Sequence, residues 1–216
     1  MSHTRRDFLR LGVSTATAAV LSSYPASIPF RQTEPAGNDS FERLPMHRIR
    51  FNGILGQRID RCIKNRIADE EEATLVAPFK KRSETWCWSS EFWGKWFLSA
   101  VDAWNYTQDA GLRNLIDASV EQLIATQTPD GYIGAYSAAN RLSNWDLWGR
   151  KYTLLGLLAH HSATGEEEPL QAARRLADHL LTEVGPGKVD IIRVGLYRGM
   201  ASSSILEPMV LLFNRM

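Results

Sequence analysis

The chain has 216 residues and a mass of 24.3 kDa, with 25 basic against 24 acidic side chains. Neither the total nor any long run of Lys or Arg supplies the basic excess of a phosphate-binding surface, which argues against a nucleic-acid partner. Apolar residues make up 44% and charged residues 23%, an ordinary globular balance, and no stretch reaches the ~18 uninterrupted apolar residues of a stable membrane span. All seven tryptophans fall between Trp86 and Trp148.

The first element is an address rather than a fold. Arg5-Arg6 is followed by Phe8-Leu9 and then by a mildly apolar stretch from Leu11 to Leu21, rich in Ala, Thr, Val and Ser. Charged, apolar and small-residue regions in that order resemble a twin-arginine export signal, assigned to residues 1–30. The expected partner is the twin-arginine export machinery, and the expected location is periplasmic or secreted. Residues 31–43 mix Pro, Gly, Asn, Asp and Ser and read as a linker. Cys62 and Cys87 are the only cysteines. They suit either one disulfide in an oxidising compartment or two isolated buried thiols, and their spacing has no metal-ligand character.

Ile54, Leu55, Ile59, Cys62, Ile63 and Ile67 recur at helical spacing, and the acidic run Asp69 to Glu72 closes that segment as a solvated helix end. Phe92, Trp93, Trp96, Phe97, Ala100, Val101 and Trp104 then mark one wide face of a helix, with Ser89 or Ser90 as its cap and Glu91 in its first turn. A turn at Tyr106 to Asp109 leads to a return helix through Leu112, Leu115, Ile116, Val120, Leu123 and Ile124, which ends before Pro129-Asp130-Gly131. Lys151-Tyr152 to His161 and Leu170 to Leu181 repeat the plan. Lys95-Trp96 stands 56 residues before Lys151-Tyr152, and Leu112 stands 58 before Leu170. A period in the fifties means repeated helical hairpins, so the fold class is all-α. A third unit is expected from Ser204, with a capping box between Ser204 and Glu207 ahead of Met209, Val210, Leu212 and Phe213.

Four runs carry a family resemblance: Glu91-Phe92-Trp93-Gly94-Lys95-Trp96, Gln127 to Gly134, Trp145 to Tyr152, and Gly199 to Pro208. Over residues 44–216 the chain resembles the N-terminal part of glycoside hydrolase family 127 and its β-L-arabinofuranosidase-like relatives. The resemblance implies an (α/α)6 toroid of six helical hairpins, with substrate at the ends of the inner helices. A closed ring at this period needs about 340 residues, so the chain is expected to hold a partial toroid that stops in the third hairpin. The family's cysteine nucleophile, and the zinc held by glutamate and further cysteines beside it, have no counterpart here. No catalytic residue, no metal ligand and no cofactor are therefore assigned within this chain. Two further departures are Tyr152 and Met200, which stand where better-known members carry histidines.

Candidate substrate-binding residues lie on the loops entering the inner helices. Asp130 and Tyr132 follow an outer helix, in a turn where Gly131 supplies positive φ. Trp145, Asp146, Trp148 and Lys151 form the next cluster, where aromatic faces stack on the C–H face of a sugar while a carboxylate and a cation take its hydroxyls. Glu91 and Lys95, four apart among tryptophans, complete the set, although the same spacing suits a surface ion pair. Asp146 also suits a helix cap, and His160, His161 and His179 read as structural. The expected function is an exported glycoside hydrolase acting on an oligosaccharide or glycoconjugate, inactive in this form. Two alternatives stand beside it: a noncatalytic exported helical-repeat protein that binds carbohydrate or a partner, and a toroid hydrolase of the unsaturated uronyl type.

Overall fold

The structure is a computed structural model that describes residues 44–216, which form one compact unit. The export signal and the linker lie outside the described residues. Within them the regular structure is helical, apart from two isolated bridges, Glu84 with Tyr136 and Val184 with Val189. The helices are α1 (Gly53–Cys62), which runs into a π-helical stretch at Ile63–Ile67, α2 (Glu72–Lys81), α3 (Ser90–Thr107), α4 (Ala110–Ile124), α5 (Asp146–Thr164), α6 (Glu167–Glu183), α7 (Met200–Ser203) and α8 (Leu206–Phe213). No described helix is long and apolar enough to cross a membrane.

Two rows of helices result. The inner row is α3, α5 and the broken pair α7–α8, each packed on the one before, and the outer row is α2, α4 and α6. The hairpins α3–α4 and α5–α6 are the two repeats read from the sequence. Their first helices start 56 residues apart and their second helices 57 apart.

Trp93, Phe97, Ala100 and Val101 recur on one stripe of α3 and are buried with Leu154, Leu157 and Leu158 of α5 and with the apolar stripe of α6 from Leu170 to Leu180. Each large apolar side chain so buried contributes about 1.5–3 kcal/mol. Trp93 stacks on Phe97 at 4.5 Å and donates its indole N–H to Ser119 Oγ at 3.0 Å, so its one polar atom is satisfied in the core. Phe92, on the far side of the helix, is half exposed.

The inner helices α3 and α5 approach closely because glycine stands at the contact. A Cβ on Gly94 would lie 2.5 Å from the Tyr152 carbonyl oxygen, and one on Gly149 would strike the Ser90 hydroxyl. Backbone thus meets backbone near the N-terminal ends of both helices, which brings the side chains on either flank within reach of one another.

Several local expectations are corrected. Ser89 and Ser90 do not cap α3. Ser89 is already in helical conformation (φ −57°, ψ −31°), and its hydroxyl donates to Glu84. Glu91 remains in the first turn, and the return helix α4 does have a side-chain cap, with Asp109 Oδ1 accepting from Leu112 N at 2.9 Å.

The Ser204–Glu207 capping box does not form. Ser204 is also helical (φ −63°, ψ −15°) and donates to Ala201 O at 2.6 Å, which leaves Glu207 for another partner. The acidic run does not simply end α1, since Glu72 opens α2. That helix buries Val76 and Phe79 although Pro78 sits inside it. Cys62 and Cys87 are both free thiols, and both are exposed rather than buried.

Candidate functional site

The N-terminal ends of α3, α5 and α8 carry the side chains that gather into a site. Glu91, in the first turn of α3, is mostly buried and accepts from two donors: Lys95 Nζ at 2.9 Å on one oxygen and Trp148 Nε1 on the other. One carboxylate thereby ties α3 to α5. Lys95 Nζ lies 5.2 Å from the centre of the Tyr152 ring, and Lys151 Nζ lies at the same 5.2 Å from that ring and at 5.2 Å from Trp148. Two ammonium groups thus sit over an aromatic pair, Trp148 and Tyr152, whose rings meet edge-on at 5.3 Å. Lys151 also pairs with Glu207 Oε2 at 3.4 Å, across to α8.

The aromatic surface extends beyond this pair. Trp145 meets Trp148 at 5.9 Å, Trp88 at 5.8 Å and Tyr197 at 5.9 Å, all tilted or edge-to-face. Trp88 and Tyr197 are exposed, so the row from Trp88 through Trp145 to Trp148 and Tyr152 reaches solvent. The Trp145 indole N–H is buried without a partner. Such a face can bind a flat apolar ligand surface, while the ammonium groups and carboxylates at its edge exchange hydrogen bonds with hydroxyls.

Beneath this surface lies a network of charges. Asp146 opens α5 with its carboxylate 1% exposed, and it accepts from Tyr132 OH at 2.7 Å, Leu142 N at 2.9 Å and Arg150 at 2.5 Å. Arg150 is fully buried, pairs also with Glu183 at 2.5 Å, and covers one face of the Tyr132 ring at 4.6 Å. Arg141 lies over the same ring at 4.1 Å from its centre and bonds Asp130 at 2.7 Å.

Burial, and next the Asp146 carboxylate, push the Tyr132 phenol well above its ordinary value. Burial likewise pushes Tyr136 up to about 12. The same burial works against the charge on Arg150, but Asp146, Tyr132 and Glu183 outweigh it and hold the guanidinium charged. The Arg141 hydrogen bond and then that of Thr128 keep Asp130 well below the usual carboxylate range. His179 is lowered by burial, with Glu183, Arg150, Arg141 and Asp130 around it.

The eight residues singled out from the sequence therefore separate. Glu91, Lys95, Trp148 and Lys151 meet at one face, and Trp145 joins them through its ring contact. Asp146 and Tyr132 are buried support for that face rather than part of its surface. Asp130 turns toward outer helix α6, where His179 Nε2 lies 3.3 Å from its carboxylate.

Sequence reasoning did not place Tyr152 or Glu207 in the site, nor Arg150 and His179 in its support. The 56-residue repeat held a signal for the first two, since it aligns Tyr152 with Trp96 and sets Glu207 one further period beyond Lys151. The histidines are not isolated. His160 Nε2 is 2.9 Å from Asp117, a pairing between helices that no local spacing displays.

A cysteine- and glutamate-bound zinc does not fit the residues described. Cys62 and Cys87 are exposed, free and part of no ligand cluster. The described residues do bring Asp117, His160 and Glu166 together with ligand atoms within 4.8 Å of one another. Arg113 bonds both carboxylates of that trio and offsets part of their charge. His160 of the trio also sits near the C-terminal end of α5, about 12–18 Å along the helix from Tyr152 and Trp148 at ~1.5 Å per residue.

The solved structure of a GH127 β-L-arabinofuranosidase from Geobacillus stearothermophilus T6 superposes with a TM-score of 0.54 at 20% sequence identity, covering 73% of this chain and 27% of that one. At that identity the likeness concerns the fold, the helical toroid of these enzymes. The non-reducing end β-L-arabinofuranosidase of Bifidobacterium longum subsp. longum is 28% identical over a 109-residue match that covers 44% of this chain and 17% of that protein. The chain thus spans about a sixth to a quarter of the length of these relatives. The profile of the β-L-arabinofuranosidase GH127 catalytic domain matches residues 45–204, and the chain belongs to that family.

Proposed function

We propose that residues 44–216 supply one side of the sugar-binding face of a β-L-arabinofuranosidase-like glycoside hydrolase, and that residues 1–30 direct it by the twin-arginine route to the periplasm or the exterior. The observation that carries the binding role is the meeting of Glu91, Lys95, Trp148 and Lys151 from two inner helices around one aromatic pair. An exposed aromatic row takes the C–H face of a pentose, and the ammonium groups at its edge donate to hydroxyl oxygens. Family membership favours arabinose or a similar sugar in an oligosaccharide or glycoconjugate over an unsaturated uronide.

Hydrolysis by these residues alone is not part of the proposal. Glu91 is engaged by two donors and Asp146 by three, which leaves neither carboxylate free for proton transfer. This favours binding without cleavage by the 216-residue chain. In a tryptophan-fluorescence titration, methyl β-L-arabinofuranoside is expected to perturb the emission of the purified chain, and Trp148→Ala is expected to abolish the response. The same preparation is expected to leave 4-nitrophenyl β-L-arabinofuranoside intact. No response to the glycoside would refute the binding role, and release of nitrophenol would refute the noncatalytic part. For export, fusing residues 1–30 to a folded reporter should deliver it to the periplasm, and Arg5→Lys with Arg6→Lys should retain it in the cytoplasm. A reporter exported equally by both would refute that route.

A further inference from the structure

Lys95, Lys151 and Glu207 follow one another at intervals of 56 residues, the spacing that separates the starts of α3 and α5. They occupy corresponding places on three successive inner helices. The first two place ammonium groups over the same Tyr152 ring, and the third places a carboxylate against Lys151. The three are unequal in what they leave free.

Lys95 is tied to the buried Glu91, whose oxygens are both already engaged. Lys151 is the more enclosed cation, its side chain 13% exposed, yet its carboxylate partner Glu207 is 60% exposed and stands 3.4 Å away. An ammonium has three N–H groups and a carboxylate has about four acceptor positions. One contact at that distance leaves most of this capacity unused, and a single ion pair with an exposed carboxylate adds little to folding.

Resting on the sugar-binding role above, we propose that Glu207 and Lys151 form a receptor for two neighbouring hydroxyls of a furanoside, with Tyr152 and Trp148 as its apolar wall. The Glu207 carboxylate accepts from both hydroxyls in a fork, and the Lys151 ammonium donates to one of their oxygens. A pentofuranoside substituted at its anomeric carbon has only one such pair, the hydroxyls on C2 and C3. The pairing of opposite charges keeps the receptor neutral in sum, which suits an uncharged diol better than a sugar carboxylate.

The test uses the complete 216-residue chain, fluorescence titration, and two probes: methyl β-L-arabinofuranoside and its 2-deoxy analogue. The parent chain is expected to bind the 2-hydroxy probe at least about tenfold more tightly, as the loss of a hydrogen bond to a charged group requires. Glu207→Gln is expected to lower that preference to within about twofold, with thermal unfolding unchanged because the side chain is exposed. Glu207→Asp, which keeps the charge, should recover part of it. If the parent shows the preference and Glu207→Gln retains it, the receptor assignment is wrong and the sugar-binding face stands. If Glu207→Gln weakens both probes equally, its role is structural and the assignment is again wrong. If the parent binds neither probe, both readings fail together.

Discussion

Replacing Arg150 by methionine removes one charge from a place where water cannot substitute for it. The guanidinium is fully buried, bonds Asp146 and Glu183 at 2.5 Å each, and lies 4.6 Å from the centre of the Tyr132 ring. Breaking a buried pair by deleting one partner typically costs about 3–5 kcal/mol, because the other charge stays behind. Two facts place Arg150→Met near the lower end. Asp146 keeps the Tyr132 hydroxyl and the Leu142 N–H, and Glu183 is partly exposed and can turn to solvent. A loss of about 3 kcal/mol shifts the melting temperature of a domain of this size by roughly 6–12 °C. The assay is urea unfolding followed by tryptophan emission, with the single variants Arg150→Met and Asp146→Asn and the double variant. The double variant should lose about 1–3 kcal/mol less than the sum of the singles, the coupling expected of residues in one network. A cost below about 1 kcal/mol for Arg150→Met, or strict additivity in the cycle, would refute the view that this network holds the loop beneath the aromatic face.

The close approach of α3 and α5 makes Gly94→Ala destabilising by about 1–3 kcal/mol in the same assay, although alanine is the better helix former by about 1 kcal/mol. A gain in stability would show that the contact yields. Trp93→Phe strands the Ser119 hydroxyl in the core and should cost about 1–3 kcal/mol, whereas Trp93→Phe combined with Ser119→Ala should recover part of it. His179 has its pKa lowered from 6.5, so between that value and its folded-state value the unfolded chain binds more protons and stability rises with pH. Lowering the pH from 7.5 to 5 should therefore weaken the parent chain, and His179→Gln should flatten that slope. Asp130 contributes in a separate window: its lowered value means stability that is present above about 4 and lost only in stronger acid, which Asp130→Asn should remove.

The parts of the fold that follow from repeating contacts were legible in the residues. Trp93, Phe97, Ala100 and Val101 at helical spacing, and the 56-residue offset to Lys151-Tyr152, sufficed for the hairpins and for which helices stand in corresponding places. Helix α2 was not legible, because ten residues with an internal proline and only Val76 and Phe79 buried carry a weak pattern. The caps at Ser89 and Ser204 failed for a different reason. A serine caps only when its own backbone is extended, and both residues continue helical turns. In the site, residue types were legible and depth was not. Asp146 and Lys151 are equally polar on paper, but one turns under the loop to Tyr132 and Arg150 while the other turns toward Glu207. The contacts of Arg141 and Arg150 with the Tyr132 ring form across the loop between α4 and α5, where no helical periodicity records them.

The near-identical spacing of the inner helices has an evolutionary consequence. Because Lys95, Lys151 and Glu207 stand at the rim rather than in the core, each repeat can change the charge it presents without repacking the helices behind it. In this chain the one register already carries two cations and one anion. Point changes at this one register would alter the charge presented there while leaving the glycine contacts and the buried tryptophan untouched.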